Sequence, residues 1–384
     1  MKLETKGLKR FGSARGAGLA LLGMAALAAI AAPAHAQSDT SFLAGLHKNT
    51  PIGSTVPANG DQNPYAMFVV PESAGALKQG NVLISNFNNK GNLQGVGSTL
   101  MQYDPSTQQI TQFAAIPQNQ PGCPGGIGLT TALAVLKSGW VLIGSLPSTD
   151  GTTKTKGPGC LVVLDNQGKV AGTIAGANIN GPWGNIALVD RGSKAVLFVS
   201  NTGFGVGAPG QPVVNQATVL RINLSIPKGK PPVVTKETVI ADGLGEQADA
   251  NVFIIGPTGL ALDKKSDTLY VSDALGNRIV AIPDALKRKD SAGTGKEIFK
   301  GGDLSRPLAL IWAPNGNLIT TNGLNGKAIE INPATGKQVG SVWFNTDKAQ
   351  TPPGSGDLFG LVLSPDGKGV YYVADDNNTL DLMQ

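Results

Sequence analysis

The side chains of this 384-residue chain that could carry chemistry are mostly oxygen donors. Asn86, Ser145, Asn201, Asp273, Asn322 and Asp375 each end a short apolar run. If the runs repeat in space, these residues form a ring on one face. Asp61, Asp303 and Asp357 each follow a glycine, and Glu246 lies with Asp249 in a long, weakly patterned stretch. A subset of these oxygens, with Asp273, Asp375 and Glu246 foremost, would suit Ca²⁺, which takes roughly six to eight oxygen ligands in irregular geometry. Asp and Asn at such places also cap the following turn with their own side chains, so both roles stand at this point. Tyr65 and Trp183 follow a proline, and Phe359 follows Leu358, which takes the proline's place. These rings can stack on a flat ligand, as can the amides Asn86, Asn201 and Asn322 by hydrogen bonding, or they can pack between repeats.

What is missing narrows the chemistry further. The chain has two histidines, His35 and His47, and the first lies in a segment read below as removed. A histidine base, a Ser-His-Asp or Cys-His arrangement and a histidine-rich Zn or Fe site therefore lack their central residue, unless His47 folds into the site. No Gly-Lys-Ser/Thr phosphate loop is present. No catalytic residue is assigned on these grounds.

Residues 1–36 carry a basic start, an apolar run over 18–32 and the ending Ala34-His35-Ala36. These are the three parts of a secretory signal peptide, and the apolar run is too short for a membrane span. The segment holds a net charge of +4 of the chain's +5. The remainder is nearly neutral, which removes the electrostatic basis for binding nucleic acid. No later stretch approaches spanning length, so residues 37–384 are expected as one exported domain, periplasmic or secreted, of bacterial type.

The elements that position these residues repeat. Residues 81–86 (NVLISN), 140–145 (WVLIGS), 196–201 (VLFVSN), 268–273 (TLYVSD), 317–322 (NLITTN) and 370–375 (VYYVAD) are short, β-branched and bounded by turn formers. Each has an apolar strand before it, and the first five have two more after it. The 52 glycines, roughly twice the usual share, fit many tight turns. Four antiparallel strands repeated six times predict an all-β, six-bladed propeller. The sixth unit ends one strand short, and residues 55–61 resemble 298–303 before blade five. The N-terminal segment is therefore expected to supply the outer strand of the last blade and close the ring.

Blade four, with 256–263 (GPTGLALD), 269–273 (LYVSD) and Asn277-Arg278-Ile279, resembles an NHL repeat. That family forms six-bladed propellers with many unrelated functions, so the resemblance implies fold and no specific activity. Gluconolactonase-like propellers need an acidic metal ligand where the first blade opens, but Gln62-Asn63-Pro64-Tyr65 supplies no carboxylate there. Such a hydrolase would have to draw ligands from elsewhere, such as Asp273 or Glu246. Streptogramin-degrading propeller lyases rely on a histidine that this chain has little means to supply.

The loops 87–97, 146–159 and 202–216 are long, whereas 274–277, 323–326 and 376–378 are tight. All lie on one face, here called the top. The reading that follows is a non-catalytic module that binds a small molecule or exported protein through this face. The alternative is a Ca²⁺-type hydrolase or lactonase with its ion at the channel mouth. Cys123 and Cys160 both fall on the top of blade two, and export allows them to form a disulfide.

Overall fold

The structure is a computed structural model and describes residues 39–384. The proposed signal peptide lies outside the described residues. Six antiparallel sheets follow one another along the chain. Blade one is Gln62–Val69, Val82–Asn88, Thr99–Asp104 and Gln109–Ala115. Blades two, four and five repeat this four-strand order. Their second strands Val141–Ser145, Thr268–Asp273 and Leu318–Asn322 lie where the apolar runs predict. Second strands such as Val82–Asn88 are buried throughout because a neighbouring blade covers each face. Outer strands such as Lys337–Trp343 are mostly half-exposed, as their mixed composition requires.

The core is divided among the seams between blades. Leu83 and Leu100 of blade one meet Leu133 and Val162 of blade two, and Leu142 meets Leu197 across the next seam. The seam between blades six and one closes the ring with Met101, Tyr103, Tyr371 and Val373, and the Tyr103 and Tyr371 rings cross edge to face at 5.5 Å. Inner strands approach so closely that a Cβ on Gly184 would lie 1.4 Å from the Thr258 carbonyl.

Ring closure by an N-terminal strand is present, but the strand lies earlier than residues 55–61. Asn49–Ser54 pairs antiparallel with Thr379–Met383, from Asn49 opposite Met383 to Ser54 opposite Thr379. Its Pro51 and Gly53 give it weak strand character, which is tolerated because it is an outer edge with an irregularity at those residues. Ahead of it, the Ser41 hydroxyl and Leu43 N–H donate to Glu330 at 2.7 and 2.9 Å. Leu43 is buried against Phe344 and Tyr372 in the seam between blades five and six.

Blade three departs from the repeat. It has Ala187–Asp190, Lys194–Asn201, Val214–Ser225, the 17-residue Val233–Asp249 and a fifth strand, Phe253–Ile255. The long strand overshoots the blade, turns over residues 249–252 and returns. Among the described residues, no helix is long and apolar enough to cross a membrane.

Candidate functional site

The overshooting hairpin of blade three decides the character of the channel mouth. Asp249 Oδ1 accepts the Asn251 and Val252 N–H groups at 2.8 and 3.2 Å, fixing the turn. Gln94 of blade one donates to the Asn251 carbonyl at 3.1 Å, and Arg306 of blade five lies 3.4 Å from Asp249. The hairpin is thereby held across the axis. Phe253, in the left-handed region at φ 66°, projects inward and is buried.

Beneath it the structure brings Tyr65, Trp183 and Phe359 together. The Tyr65 ring lies 4.1 Å from Phe359, 5.7 Å from Trp183 and 4.7 Å from Phe87. Phe253 stacks on Trp183 at 6.2 Å and meets Phe87 edge to face at 5.5 Å. All five rings are buried, with Leu146, Val206 and Ala274 around them. The voids left near the mouth and in the channel measure about 20 and about 10 Å³. Burial, then the nearby Asp375 and Asp249 carboxylates, holds the Tyr65 phenol well above its ordinary pKa. The mouth is therefore a packed aromatic core, each ring pair adding about 0.5–1.5 kcal/mol beyond burial. Phe87 and Phe253 were not singled out in the sequence. Phe87 directly follows Asn86, and Phe253 sits in the stretch that gave no pattern.

The strand-end amides face inward to the chain. Asn86 donates to the Thr55 carbonyl at 2.9 Å. Asn201 accepts the Asn180 and Gly181 N–H groups at 3.1 and 2.8 Å and donates to the Asn178 carbonyl. Asn322 accepts the Ser305 N–H at 3.0 Å and donates to the Asp303 carbonyl at 2.8 Å. All three are buried, and each ties its strand to the loop leading into its own blade. His47 is exposed beside the closing strand, its backbone N–H on the Gln384 carbonyl at 3.0 Å.

The carboxylates Asp273, Asp375 and Glu246 do not gather. Asp273 is bound by Arg278 at 2.8 Å and by the Gly276 N–H at 3.0 Å. Glu246 is enclosed beside blade three's loop and accepts the Gly203 N–H. Burial pushes its carboxyl up to about 7 against the pull of Gly203, Lys156 and Phe204. Asp375 is held well above the carboxylate range by burial and then by Asp376 and Asp357. Among the described residues, no group of three or more His, Cys, Asp or Glu is placed to hold a metal. Asp61 is met by Ser98 and Thr99, and Asp303 by Lys327 and Gln338. Cys123 and Cys160 form the expected disulfide, with Cα atoms 5.6 Å apart.

The top face carries most of the exposed large hydrophobic side chains. Of six exposed large hydrophobic side chains among the described residues, Val56, Leu93, Val213, Leu324 and Trp343 lie toward the top, and Val233 alone toward the opposite face. Val213 and half-buried Leu275 both flank Gly245, which joins blades three and four at the surface.

No family model matches the chain, and no curated protein does. Solved structures share the fold. A gluconolactonase of Xanthomonas campestris superposes with a TM-score of 0.53 at 13% identity, covering 87% of this chain and 88% of that one. A protein named for gluconolactonase on family grounds gives 0.50 at 15%, covering 89% and 92%. A Thermus thermophilus protein named as an oxidoreductase of glucose dehydrogenase type gives 0.50 at 13%, covering 88% and 100%. At these identities the likeness establishes the six-bladed propeller, and the NHL likeness of blade four remains one of motif.

Proposed function

We propose that the mature chain is an exported propeller that binds another exported protein through the apolar rim of its top face, without chemistry in its channel. The observation that carries this reading is the aromatic cap. Voids of about 10 and 20 Å³ leave no room for a small substrate at the capped mouth, while Leu93, Val213 and Leu324 face solvent on the top face. A face that carries most of a protein's exposed large apolar side chains is the one where a protein partner gains most by covering them. Export rests on residues 1–36 and is supported by a disulfide in the folded chain.

The test compares three immobilised proteins in capture from an extract of exported proteins: the mature chain, a Leu93→Ser/Val213→Ser/Leu324→Ser variant and Val233→Ser on the opposite face. The reading expects one captured species to be kept by the mature chain and Val233→Ser and lost by the rim variant. Equal capture by all three would overturn it.

The second reading is lactone hydrolysis, the activity named for two of the structural neighbours, here with a metal ion assisting. The donors do not fit it well here, since Arg278 occupies Asp273 and an aromatic core fills the mouth. Turnover of a lactone panel with Ca²⁺, Mg²⁺ or Mn²⁺ that disappears in Asp273→Ala, with the fold intact, would establish it instead.

A further inference from the structure

A groove of about 870 Å³ lies on the face opposite the cap, between loops that join strands in blades one, two and three. That is within the roughly 300–1,000 Å³ of small-molecule sites. Trp140, just ahead of the second strand Val141–Ser145, lines it half-buried, packed on the seam between blades two and three. Its indole N–H donates to nothing among the described residues and is open to water. The equally half-buried Trp312 instead donates to the Leu262 carbonyl at 3.0 Å.

The charged groups around Trp140 divide into satisfied and unsatisfied ones. Asp190 is satisfied, since its Oδ1 accepts the Gly192 N–H at 2.8 Å and its Oδ2 the Lys137 N–H at 2.7 Å. The Lys137 ammonium lies 3.4 Å from Glu72. Arg191 and Lys228, exposed on the blade-three side, have neither an ion pair nor a side-chain hydrogen bond among the described residues. On the blade-two side, Asp165 Oδ1 accepts the Gln167 and Lys169 N–H groups, both at 2.9 Å, and Oδ2 keeps its capacity as an acceptor. The Ser138 and Ser193 hydroxyls also lack partners among the described residues.

These groups select for a ligand. A nucleotide phosphate would meet Asp165 and Glu72 as well as the cations, and a neutral sugar would leave Arg191 and Lys228 unused. A sugar chain bearing carboxylates uses both sides. Its hydroxyls donate to Asp165 and exchange hydrogen bonds with the serines, and the C–H face of a ring lies on the electron-rich indole. Its carboxylate meets the Arg191 fork in two parallel hydrogen bonds.

We propose that this groove binds an acidic oligosaccharide, with Trp140 as the platform and Arg191 and Lys228 as the carboxylate receptors. The site stands apart from the top face and does not depend on the binding reading there. The mature protein is titrated by calorimetry at low ionic strength with tri-galacturonate, its methyl ester and adenosine monophosphate. The expected result is saturable heat with tri-galacturonate and about tenfold weaker binding of the ester, which lacks the charge-assisted bonds. Arg191→Gln/Lys228→Gln should weaken tri-galacturonate about tenfold or more. Lys264→Gln/Lys265→Gln, the same charge change on exposed lysines of the same face, should stay near wild type. Trp140→Ala should weaken binding roughly two- to tenfold, and the surface pair decides if that seam variant does not fold. No saturable heat with tri-galacturonate, equal affinity for its ester, or equal loss in the two paired variants would overturn the proposal. Tighter binding of adenosine monophosphate would overturn it too, by making phosphate the recognised group.

Discussion

The aromatic cap over the channel and the acidic corner of blade six occupy the same face and are built from equivalent parts of the repeat. In blade one the second strand ends Asn86-Phe87-Asn88, and Phe87 turns into a core of five rings. In blade six it ends at Ala374, and Asp375 and Asp376 follow with no Lys or Arg ion-paired to them among the described residues. Blade four has the same aspartate, Asp273, but its Arg278 neutralises it. A position in the repeat therefore fixes where a side chain is held, and its partners decide what it does. The cap is closed because each group has a neighbour of its own kind. The corner carries uncompensated charge because no Lys or Arg is ion-paired with it among the described residues.

The contrast can be broken most forcefully at Phe253. Phe253→Ala should cost about 3–5 kcal/mol in denaturant unfolding, the usual loss for a large buried ring. A loss under about 1 kcal/mol would mean the cap is not core. The staple on blade two acts separately. Cys123 and Cys160 close a separation of 37 residues, so Cys123→Ser/Cys160→Ser should lose roughly 4 kcal/mol on the chain-entropy account. The loss should come without opening the mouth.

A pH effect comes next in size. Glu246 is raised from its ordinary 4.5 to about 7, so between these values the native state keeps a proton that the unfolded chain has released. Stability is therefore full below about pH 4.5, falls as pH rises toward 7 and levels beyond it. At about 1.4 kcal/mol per unit this amounts to roughly 3 kcal/mol at most. Glu246→Gln should make the fall in thermal melts between about pH 5 and 7 shallower by its share, the raised Asp357 and Asp375 supplying the rest, and an unchanged slope would assign it wholly to those groups. The smallest effect belongs to blade four. Arg278→Ala leaves Asp273 buried without its cation and should cost about 1–2 kcal/mol, read by chemical unfolding.

Much of the scaffold was legible because propeller blades repeat. Six buried second strands, each sandwiched between neighbours, appear as six apolar runs, and the half-exposed outer strands appear as mixed ones. The disulfide was legible because both cysteines fall on one blade's top. The closing strand was misplaced by several residues because Pro51 and Gly53 hide an edge strand, while Thr55 to Asp61 imitates the approach to blade five. Ser41 and Leu43, which read as part of a loose arm, prove to hold Glu330. The cap was hidden for a different reason. Phe253 gains its role by crossing the channel on a hairpin that no other blade has, so no repeat announces it. The partners of Asp273 and Asp357 were equally hidden, since Arg278 lies within reach of one and the Asn345 amide meets the other.

The claim that the channel mouth is a packed core is tested most directly at Trp183. The chain has four tryptophans, so Trp140→Phe/Trp312→Phe/Trp343→Phe leaves Trp183 as the sole indole reporter. Its emission should be blue-shifted and nearly insensitive to acrylamide, and adding Phe253→Ala should shift it to the red and expose it to the quencher. Red-shifted, readily quenched emission with Phe253 in place would show an open mouth and contradict the account.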